Sequence, residues 1–202
     1  MEPGNTEEKI LQAATEVFIM KGYDGSTMQE IANRASINKS LLHYYYRSKD
    51  KLFSKVFRMV FHHLFIPKII KIFESDMSLF EKIEAFTDQY IDVILKNPYI
   101  PMFVMRELTN NPDRLAGLAK QLGLDPDKAF QSIKEEIEKG NIREIEPRQL
   151  MVNIIALCIF PFAGKPMLKA ILFDNNEKDY QEFLRRRKKE VSRFIINSIS
   201  VS

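Results

Sequence analysis

The sequence predicts an all-α protein, and three observations support this prediction. Apolar residues recur at helical spacing along most of the chain, capping residues stand before these runs, and proline or glycine follows them. No run shows convincing strand alternation, and no internal repeat or low-complexity tract is present in the sequence. With 202 residues, 45% of them hydrophobic, and a net charge of +3, the chain has enough apolar side chains to build a well-buried core.

The first quarter of the chain predicts three short helices and the start of a fourth. The first is expected from about Thr6 to Met20, and its apolar stripe consists of Ile10, Leu11, Ala14, Val17 and Phe18. Thr27 and Glu30 have the spacing of a capping box for the second helix, while Asn38 is expected to cap the third. Ser48 is expected to cap a long fourth helix that is rich in phenylalanine.

Five further helices are predicted in the rest of the chain. They span about residues 79–96 (with Ser78 and Glu81 as a capping box), 101–109, 126–139, 147–160 and 177–198. The sequence pairs Asn97-Pro98 and Asn111-Pro112 are interpreted as helix breaks, as is the segment from Pro161 to Pro166.

Residues 27–51 have the pattern of a helix-turn-helix. A short helix behind a tight turn, with basic, hydroxyl and aromatic side chains on its outer face, is what reading of the DNA major groove requires. Five basic residues surround it, with Asp50 as the only acid among them: Lys39, Arg47, Lys49, Lys51 and Lys55. Phosphate contacts by such residues would make DNA binding dependent on salt.

The same segment resembles the TetR family of bacterial transcriptional regulators. The resemblance begins with Ile10-Leu11-x-x-Ala14-x-x-x-Phe18-x-x-x-Gly22-Tyr23, continues through Thr27-x-x-x-Ile31-Ala32, and ends with Ile37-Asn38-Lys39-Ser40-Leu41-Leu42-His43-Tyr44-Tyr45-Tyr46-x-Ser48-Lys49-x-x-Leu52. It covers about the first quarter of the chain. Ser40, Leu41 and His43 differ from the residues common in the family at these positions, so no base preference is inferred.

The resemblance implies an N-terminal three-helix helix-turn-helix domain, residues 1–48, which extends into a long helix from 49 to about 66. That helix would lead into a C-terminal helical ligand-binding and dimerisation domain, residues 67–202. The expected function is that of a sequence-specific regulator, most simply a repressor, that a small and largely apolar effector releases from double-stranded DNA. The operator would be palindromic, because a homodimer formed through helices near 147–160 and 177–198 presents two reading helices.

The expected DNA-binding residues lie on the second and third helices and at the start of the fourth. They are Thr27, Met28, Asn38, Lys39, Ser40, Leu41, His43, Tyr44, Tyr45 and Lys49. Lys39 and Lys49 are expected to contact phosphates, while His43 and Tyr44 contact base edges or phosphates. Ser40 would allow the helix to approach the DNA closely.

An effector pocket is expected in the middle of the chain, mainly because the resemblance implies one. The candidate lining residues are Phe61, Phe65, Phe86, Tyr90, Met102, Phe103, Arg106 and Phe130. Such residues at helical spacing are more often ordinary core. Arg106 and Glu107 are charged within an apolar stretch; either could orient a ligand if buried, but the favoured interpretation is that both lie at the surface or pair with each other.

Other patterns favour ordinary structure over chemistry. Cys158 is expected to be buried and inert, and the adjacent His62 and His63 point about 100° apart on a helix, which does not favour a shared metal. The basic run 185–189 is interpreted as an exposed face. The apolar seam of the last helix is interpreted as a dimer surface or as core, and consists of Tyr180, Leu184, Val191, Ile195 and Ser198.

No catalytic residue, metal or cofactor is therefore expected. The longest apolar run, near 153–163, is too short to span a bilayer and the N-terminus lacks a signal peptide, so a cytoplasmic protein without a membrane partner is expected. Two alternative functions stay open at this point. One is a helical small-molecule-binding or scaffold protein without a DNA role, and the other is an enzyme with an unrecognised site in the C-terminal cavity.

Overall fold

The computed structural model describes residues 3–64, 66–123 and 125–201; for residues 3–5, 61–64 and 66 it describes the course of the backbone only. The described residues form α-helices and one isolated antiparallel bridge, between Ile142 and Ser200. The helices are α1 Pro3–Lys21, α2 Met28–Arg34, α3 Lys39–Tyr45, α4 Lys49–Leu64, α5 Ile66–Phe73, α6 Leu79–Lys96, α7 Ile100–Asn110, α8 Pro112–Gln121, α9 Asp127–Glu138, α10 Pro147–Ala163, α11 Lys165–Leu172 and α12 Glu177–Ile199. The predicted all-α class is confirmed.

The chain forms two compact units. The first consists of Met1–Leu64 together with Met102–Gly123, and the second consists of Phe65–Pro101 together with Leu124–Ser202. Neither unit is therefore one continuous stretch of sequence, and residues 102–123 lie with the N-terminal helices even though the sequence analysis grouped them with residues 67–202.

The first unit has one hydrophobic core. Its N-terminal members come from α1 to α4, and the largest fully buried ones are Phe18, Phe53, Ile10, Ile31, Leu42 and Leu52. Phe103 of α7 and Leu118 of α8 are also buried in this core, with 5% of each residue exposed. Burial of such side chains supplies about 1.5–3 kcal/mol each, so α7 and α8 are an integral part of this unit.

Local capping fixes the ends of the short helices. The Thr27 hydroxyl accepts from the Glu30 N–H at 3.1 Å, and the Asn38 side chain accepts from the Leu41 N–H at 2.7 Å. The capping box predicted at Thr27 is only half formed, because the Glu30 carboxylate forms an ion pair with Lys21 at 2.5 Å. Between α2 and α3, Ser36 adopts the left-handed region with a φ of 56°, which closes the turn.

The second unit is built around α6, which packs against α5, α9, α10 and α12. The predicted boundaries of α6 agree with the structure, and both halves of the Ser78–Glu81 capping box are present. Four members of the predicted α12 seam are buried: Tyr180, Leu184, Val191 and Ile195. The seam is therefore part of the core within one protomer, which was the alternative to a dimer surface.

Proline accounts for one omission and one error in the predicted helices. The break predicted at Asn111-Pro112 is confirmed, because α7 ends at Asn110, but the helix that follows was not predicted; Pro112 lies in the first turn of α8, where the missing N–H costs nothing. Pro161 was also interpreted as a break, yet α10 continues through it to Ala163. The segment after it, expected to be irregular, contains α11.

Side chains of α12 explain why α10 tolerates Pro161. A proline at this position cannot donate to the carbonyl of Leu157, four residues earlier. The Arg187 guanidinium donates to that carbonyl instead, at 2.7 Å. The Tyr180 hydroxyl donates to the carbonyl of Pro161 itself, close to the end of the helix. Two α12 side chains thus replace hydrogen bonds that the helix lacks.

Candidate nucleic-acid interface

The structure places most of the predicted DNA-binding residues on an accessible face of α2 and α3. The exposed ones are Thr27, Asn38, Lys39, Ser40, His43 and Tyr44, while Met28, Leu41, Tyr45 and Lys49 are half-buried. Tyr44 is the extreme case, with 82% of the residue exposed. An aromatic side chain held in water on a seven-residue helix with a buried Leu42 beneath it is available for a partner.

Aromatic residues at the end of α3 hold this helix against the core of the first unit. The Tyr45 ring meets that of Tyr44 edge to face, with centroids 5.6 Å apart, and also packs against the core of the first unit. The Tyr46 hydroxyl donates to the Glu7 carboxylate at 2.7 Å. Burial and this hydrogen bond raise the pKa of Tyr46, so the phenol stays protonated and α3 remains tied to α1 at physiological pH.

Lys49 has structural contacts that the sequence analysis did not anticipate. Its ammonium donates to the carbonyl oxygens of Tyr23 and Ser26, at 2.8 and 3.0 Å, and lies 4.1 Å from the centroid of the Tyr23 ring. Lys49 therefore ties the start of α4 to the turn between α1 and α2. A phosphate contact by Lys49 remains a prediction and would have to use its third ammonium hydrogen.

Residues from α7 and α8 contact the same turn. The Arg114 guanidinium lies 3.5 Å from the centroid of the Tyr23 ring and 3.6 Å from the Asp50 carboxylate. The Tyr23 hydroxyl donates to Asp50 at 2.8 Å. Burial is the largest of the effects that raise the pKa of Tyr23, and the hydrogen bond to Asp50 adds to it. No site was predicted at Arg114, because a single arginine in this part of the sequence carries no signal of its partners.

Arg106 and Glu107 neither lie free at the surface nor pair with each other, so that interpretation was wrong. The Arg106 guanidinium donates to the Met20 carbonyl at 2.9 Å. Glu107 is buried, with 2% of the residue exposed, and its Oε1 accepts from the Tyr23 N–H at 2.9 Å. Both side chains therefore bind the backbone around the turn between α1 and α2.

The predicted pocket residues are divided between the two units. Phe103 is in the core of the first unit, where its ring centroid lies 5.9 Å from that of Phe53, and Met102 is 51% exposed. In the second unit, Phe86 stacks on Tyr90 with centroids 5.5 Å apart, while Phe130 lies below the Arg148 guanidinium at 5.9 Å. Burial raises the pKa of the Tyr90 phenol. The side chains of Phe61 and Phe65 lie outside the described residues.

The C-terminal helices carry an exposed apolar face in addition to their buried seam. Its α10 and α12 members include Val152 at 60% exposure, Phe160 at 53% and Phe194 at 64%. The exposed residues of α11 add Met167, Ile171 and Leu172. Exposed apolar side chains on neighbouring helices favour a surface that binds a partner.

The basic run of α12 is only partly an exposed face, which corrects the prediction. Arg185, Arg186 and Lys189 are exposed, but Arg187 and Lys188 are half-buried. The Lys188 ammonium forms ion pairs with Asp88 and Asp92 of α6. Two of the five charges therefore stabilise the packing of the second unit.

Candidate metal and redox groups give no site within the described part of the chain. No group of three or more histidine, cysteine, aspartate or glutamate side chains there could hold a metal ion. Cys158 is buried as predicted, and its burial raises the pKa of the thiol to about 12, which keeps it protonated and unreactive. Of the described helices, none alone has the length and apolar character to cross a membrane; α10 and α11 reach them only together, with a 75° bend between them.

An exposed short helix behind a tight turn, on a compact helical head, defines a helix-turn-helix DNA-binding protein. Residues 10–56 match the family described as "Bacterial regulatory proteins, tetR family". The N-terminal part of the chain therefore has the helix-turn-helix of the TetR family, and the relatives of the chain in sequence are HTH-type transcriptional regulators.

Two relatives illustrate the similarity. The chain is 29% identical over 154 residues to the HTH-type transcriptional regulator RutR of Escherichia coli K12, an alignment that covers 74% of this chain and 70% of that protein. It is 30% identical over 111 residues to IcaR of Staphylococcus aureus, the HTH-type negative transcriptional regulator of the biofilm operon icaADBC; here 55% of this chain and 58% of IcaR are covered.

Solved structures share the fold. The Bacillus subtilis regulator FadR, in complex with stearoyl-CoA, superposes with a TM-score of 0.67 and 16% identity over 92% of this chain and 97% of that one. AibR, in complex with isovaleryl coenzyme A and operator DNA, gives a TM-score of 0.64 and 17% identity over 78% and 85% of the two chains.

Proposed function

We propose that this TetR-family regulator is a repressor that binds a palindromic operator as a homodimer and is released by a small, largely apolar effector. The observation that carries the proposal is the exposed outer face of α3, with Lys39, His43 and Tyr44 available to a duplex. Its similarity to IcaR, a negative regulator, favours repression over activation.

The proposal can be tested by selection from a random duplex library with the purified protein at moderate salt. A recovered palindrome supports a dimeric, sequence-specific regulator, while retention without a motif would contradict sequence specificity. Lys39→Ala should then weaken binding to the recovered duplex and lower the slope of log K against log salt by about 0.9, since one phosphate contact is lost. Lys178→Ala, an exposed lysine on α12, is the matched control.

The proposed division of labour follows the sequence prediction with one change. Residues 1–48, extended by the helix from 49 to about 66, would read DNA, and most of 67–202 would bind the effector and form the dimer. Residues 102–123 are assigned to the first unit, where they would stabilise the DNA-binding helices, because Phe103 and Leu118 are in its core.

The exposed apolar face of α10 and α12 supports homodimerisation through the helices near 147–160 and 177–198. We expect Phe194→Glu to convert a dimer into a monomer in sedimentation analysis, because it would place a charge in a desolvated surface. Met77→Glu, which changes a 44%-exposed residue before α6, is the control and should leave the mass unchanged. A wild-type monomer at micromolar concentration would contradict this part of the proposal.

Acyl-coenzyme A thioesters are the first effector class to test, since FadR and AibR were each solved with one. Stearoyl-CoA, isovaleryl-CoA and free coenzyme A can each be titrated into the complex with the recovered duplex. Release by a thioester but not by free coenzyme A would identify the acyl chain as the recognised part. Full retention with all three would exclude this class while leaving operator binding intact.

Two other functions are distinguishable in the same assays. A scaffold protein without a DNA role would retain no duplex even at low salt. An enzyme would convert a bound thioester, which mass analysis of the ligand after incubation would show. A DNA-bound regulator acts in the cytoplasm, and this is the location we propose.

A further inference from the structure

Side chains from distant helices hold the turn between α1 and α2, in addition to the backbone hydrogen bonds from Gly22 to Phe18 and from Ser26 to Tyr23. Lys49 binds its carbonyl groups from α4, while Arg106 and Glu107 bind Met20 and Tyr23 from α7. Tyr23 lies 84 residues before Glu107 in sequence. The conformation of this turn therefore depends on a helix that is distant in sequence.

The contact between α7 and this turn is close. Gly22 has a φ of +71°, and a Cβ atom built on it would lie 2.5 Å from Cδ of Arg106 and 3.4 Å from Oε1 of Glu107. A larger residue at position 22 would be strained by its backbone conformation and would also displace the Arg106 side chain. The side chains of α7 thus occupy the space that the absent Gly22 side chain leaves.

Glu107 makes this contact at an energetic cost. Its Oε1 accepts one backbone hydrogen bond, whereas Oε2 is buried with no hydrogen-bond partner among the described residues. A buried carboxylate with a single partner pays most of its desolvation penalty without full compensation. The net stabilisation from this contact is consequently smaller than that of a fully hydrogen-bonded carboxylate.

We infer that Glu107 is a positioning residue for DNA binding, which holds the Gly22–Tyr23 turn and thereby the orientation of α2 and α3. The turn leads directly into α2, and α2 packs against α3. A movement of α7 that withdraws the carboxylate would free the Tyr23 N–H and loosen the start of α2. The inference rests on the DNA-binding function proposed above and adds a contact through which α7 influences it.

The variants Glu107→Ala and Glu107→Gln distinguish the effect of losing the hydrogen-bond acceptor from the effect of losing the charge. Alanine removes the acceptor, and we expect about tenfold weaker binding to the library-selected duplex, as for loss of a hydrogen bond to a charged group. Binding to a scrambled duplex should not change, because phosphate contacts alone support it. Glutamine keeps an acceptor oxygen for the Tyr23 N–H and should bind the selected duplex like wild type. Thr109→Ala, an exposed position on α7, is the control.

A measurement on the wild-type protein tests the coupling between the Tyr23 turn and DNA binding even if the alanine variant fails to fold. If the closed turn binds DNA better, DNA must in turn favour the closed turn. Hydrogen exchange of the Tyr23 amide should therefore slow when the selected duplex is added, relative to the amides of α9.

Three results would overturn the inference: equal binding of the selected duplex by Glu107→Ala and wild type, equal weakening by both substitutions, or unchanged exchange at Tyr23 on DNA binding. Failure of the wild-type protein to select any duplex would instead contradict the proposed function itself. The two failures are thus distinguishable.

Discussion

Each unit of this protein has a charged side chain, buried in the first unit and half-buried in the second, that binds the backbone of a distant helix or turn, and the two cases differ in what they hold. Glu107 in the first unit accepts from the Tyr23 N–H, which belongs to a turn. Arg187 in the second unit donates to the Leu157 carbonyl, which belongs to a helix that Pro161 interrupts. The first contact can open without loss of a helix, while the second replaces a missing helical bond.

Because of this difference, we expect loss of the first contact to affect function and loss of the second to affect stability. Removal of the Glu107 acceptor should be measured as a change in operator affinity, whereas removal of Arg187 should be measured as a change in the free energy of unfolding. Both residues are ionic and partly unsatisfied, since Oε2 of Glu107 and Nε of Arg187 are buried without a partner in the described structure. An unpartnered buried atom on a charged side chain therefore does not distinguish a positioning residue from a stabilising one.

The largest expected effect comes from Arg187→Met. Loss of the guanidinium leaves the Leu157 carbonyl unpaired, and we expect about 2–3 kcal/mol of destabilisation in urea unfolding. Arg186→Met, its exposed neighbour, should have little effect. In a Pro161→Ala background a backbone N–H becomes available to Leu157, so the cost of Arg187→Met should decrease. Equal costs in both backgrounds would contradict the role assigned to Arg187.

An intermediate effect is expected from Tyr180→Phe. The change removes the hydroxyl that donates to the Pro161 carbonyl and keeps the buried ring. We expect about 1 kcal/mol of destabilisation, the usual net value for one hydrogen bond. Tyr99→Phe, at a 40%-exposed position, is the control. A wild-type unfolding midpoint for Tyr180→Phe would show that the end of α10 needs no partner from α12.

The smallest effect concerns Glu177, which forms a surface contact in the second unit, in contrast to the half-buried Arg187. Hydrogen bonds from Lys165, then Gln181 and Lys169, lower the pKa of the Glu177 carboxyl from 4.5 to about 2. The folded-state pKa lies below the ordinary value, so the stabilisation is present above about pH 4.5 and is lost as the pH falls towards 2.

Glu177→Gln should consequently be slightly less stable than wild type near neutral pH, and the difference should disappear on acidification. Unfolding curves measured at a series of pH values would show this. Glu138→Gln, an exposed glutamate at the end of α9, provides the comparison. A difference that persists at the lowest pH would mean that packing, and not charge, explains the effect of the Glu177 substitution.

The sequence predicted what depends on neighbours along the chain. Thr27, Asn38 and Ser78 cap helices as expected, because each cap and its N–H partner are three residues apart. The exposed face of α3 was predicted for the same reason, since burial of Leu42 fixes which side chains point outwards. These signals are local, and helical periodicity is sufficient to interpret them.

Long-range contacts could not be predicted in this way. Proline is compatible with a helix start, a helix break or a continuing helix. At Pro161 the helix continues with hydrogen bonds from Arg187, 30 residues beyond Leu157, and from Tyr180. Glu107 was noticed as a charge in an apolar stretch, but its partner is a backbone N–H with no sequence signature. Likewise, nothing in the amphipathic pattern of α7 indicated that Phe103 belongs to the core of the first unit.

The divided sequence of the first unit also affects its biogenesis. Residues 1–64 leave the ribosome first, but Phe103 and Leu118 complete their core only after residues 65–101 of the second unit have been synthesised. At a synthesis rate of about 5–20 residues per second, the core side chains of residues 1–64 therefore stay incompletely buried for seconds. A fragment ending near residue 64 would stay in that condition permanently, so the reading head of this regulator should be expressed as part of the whole chain.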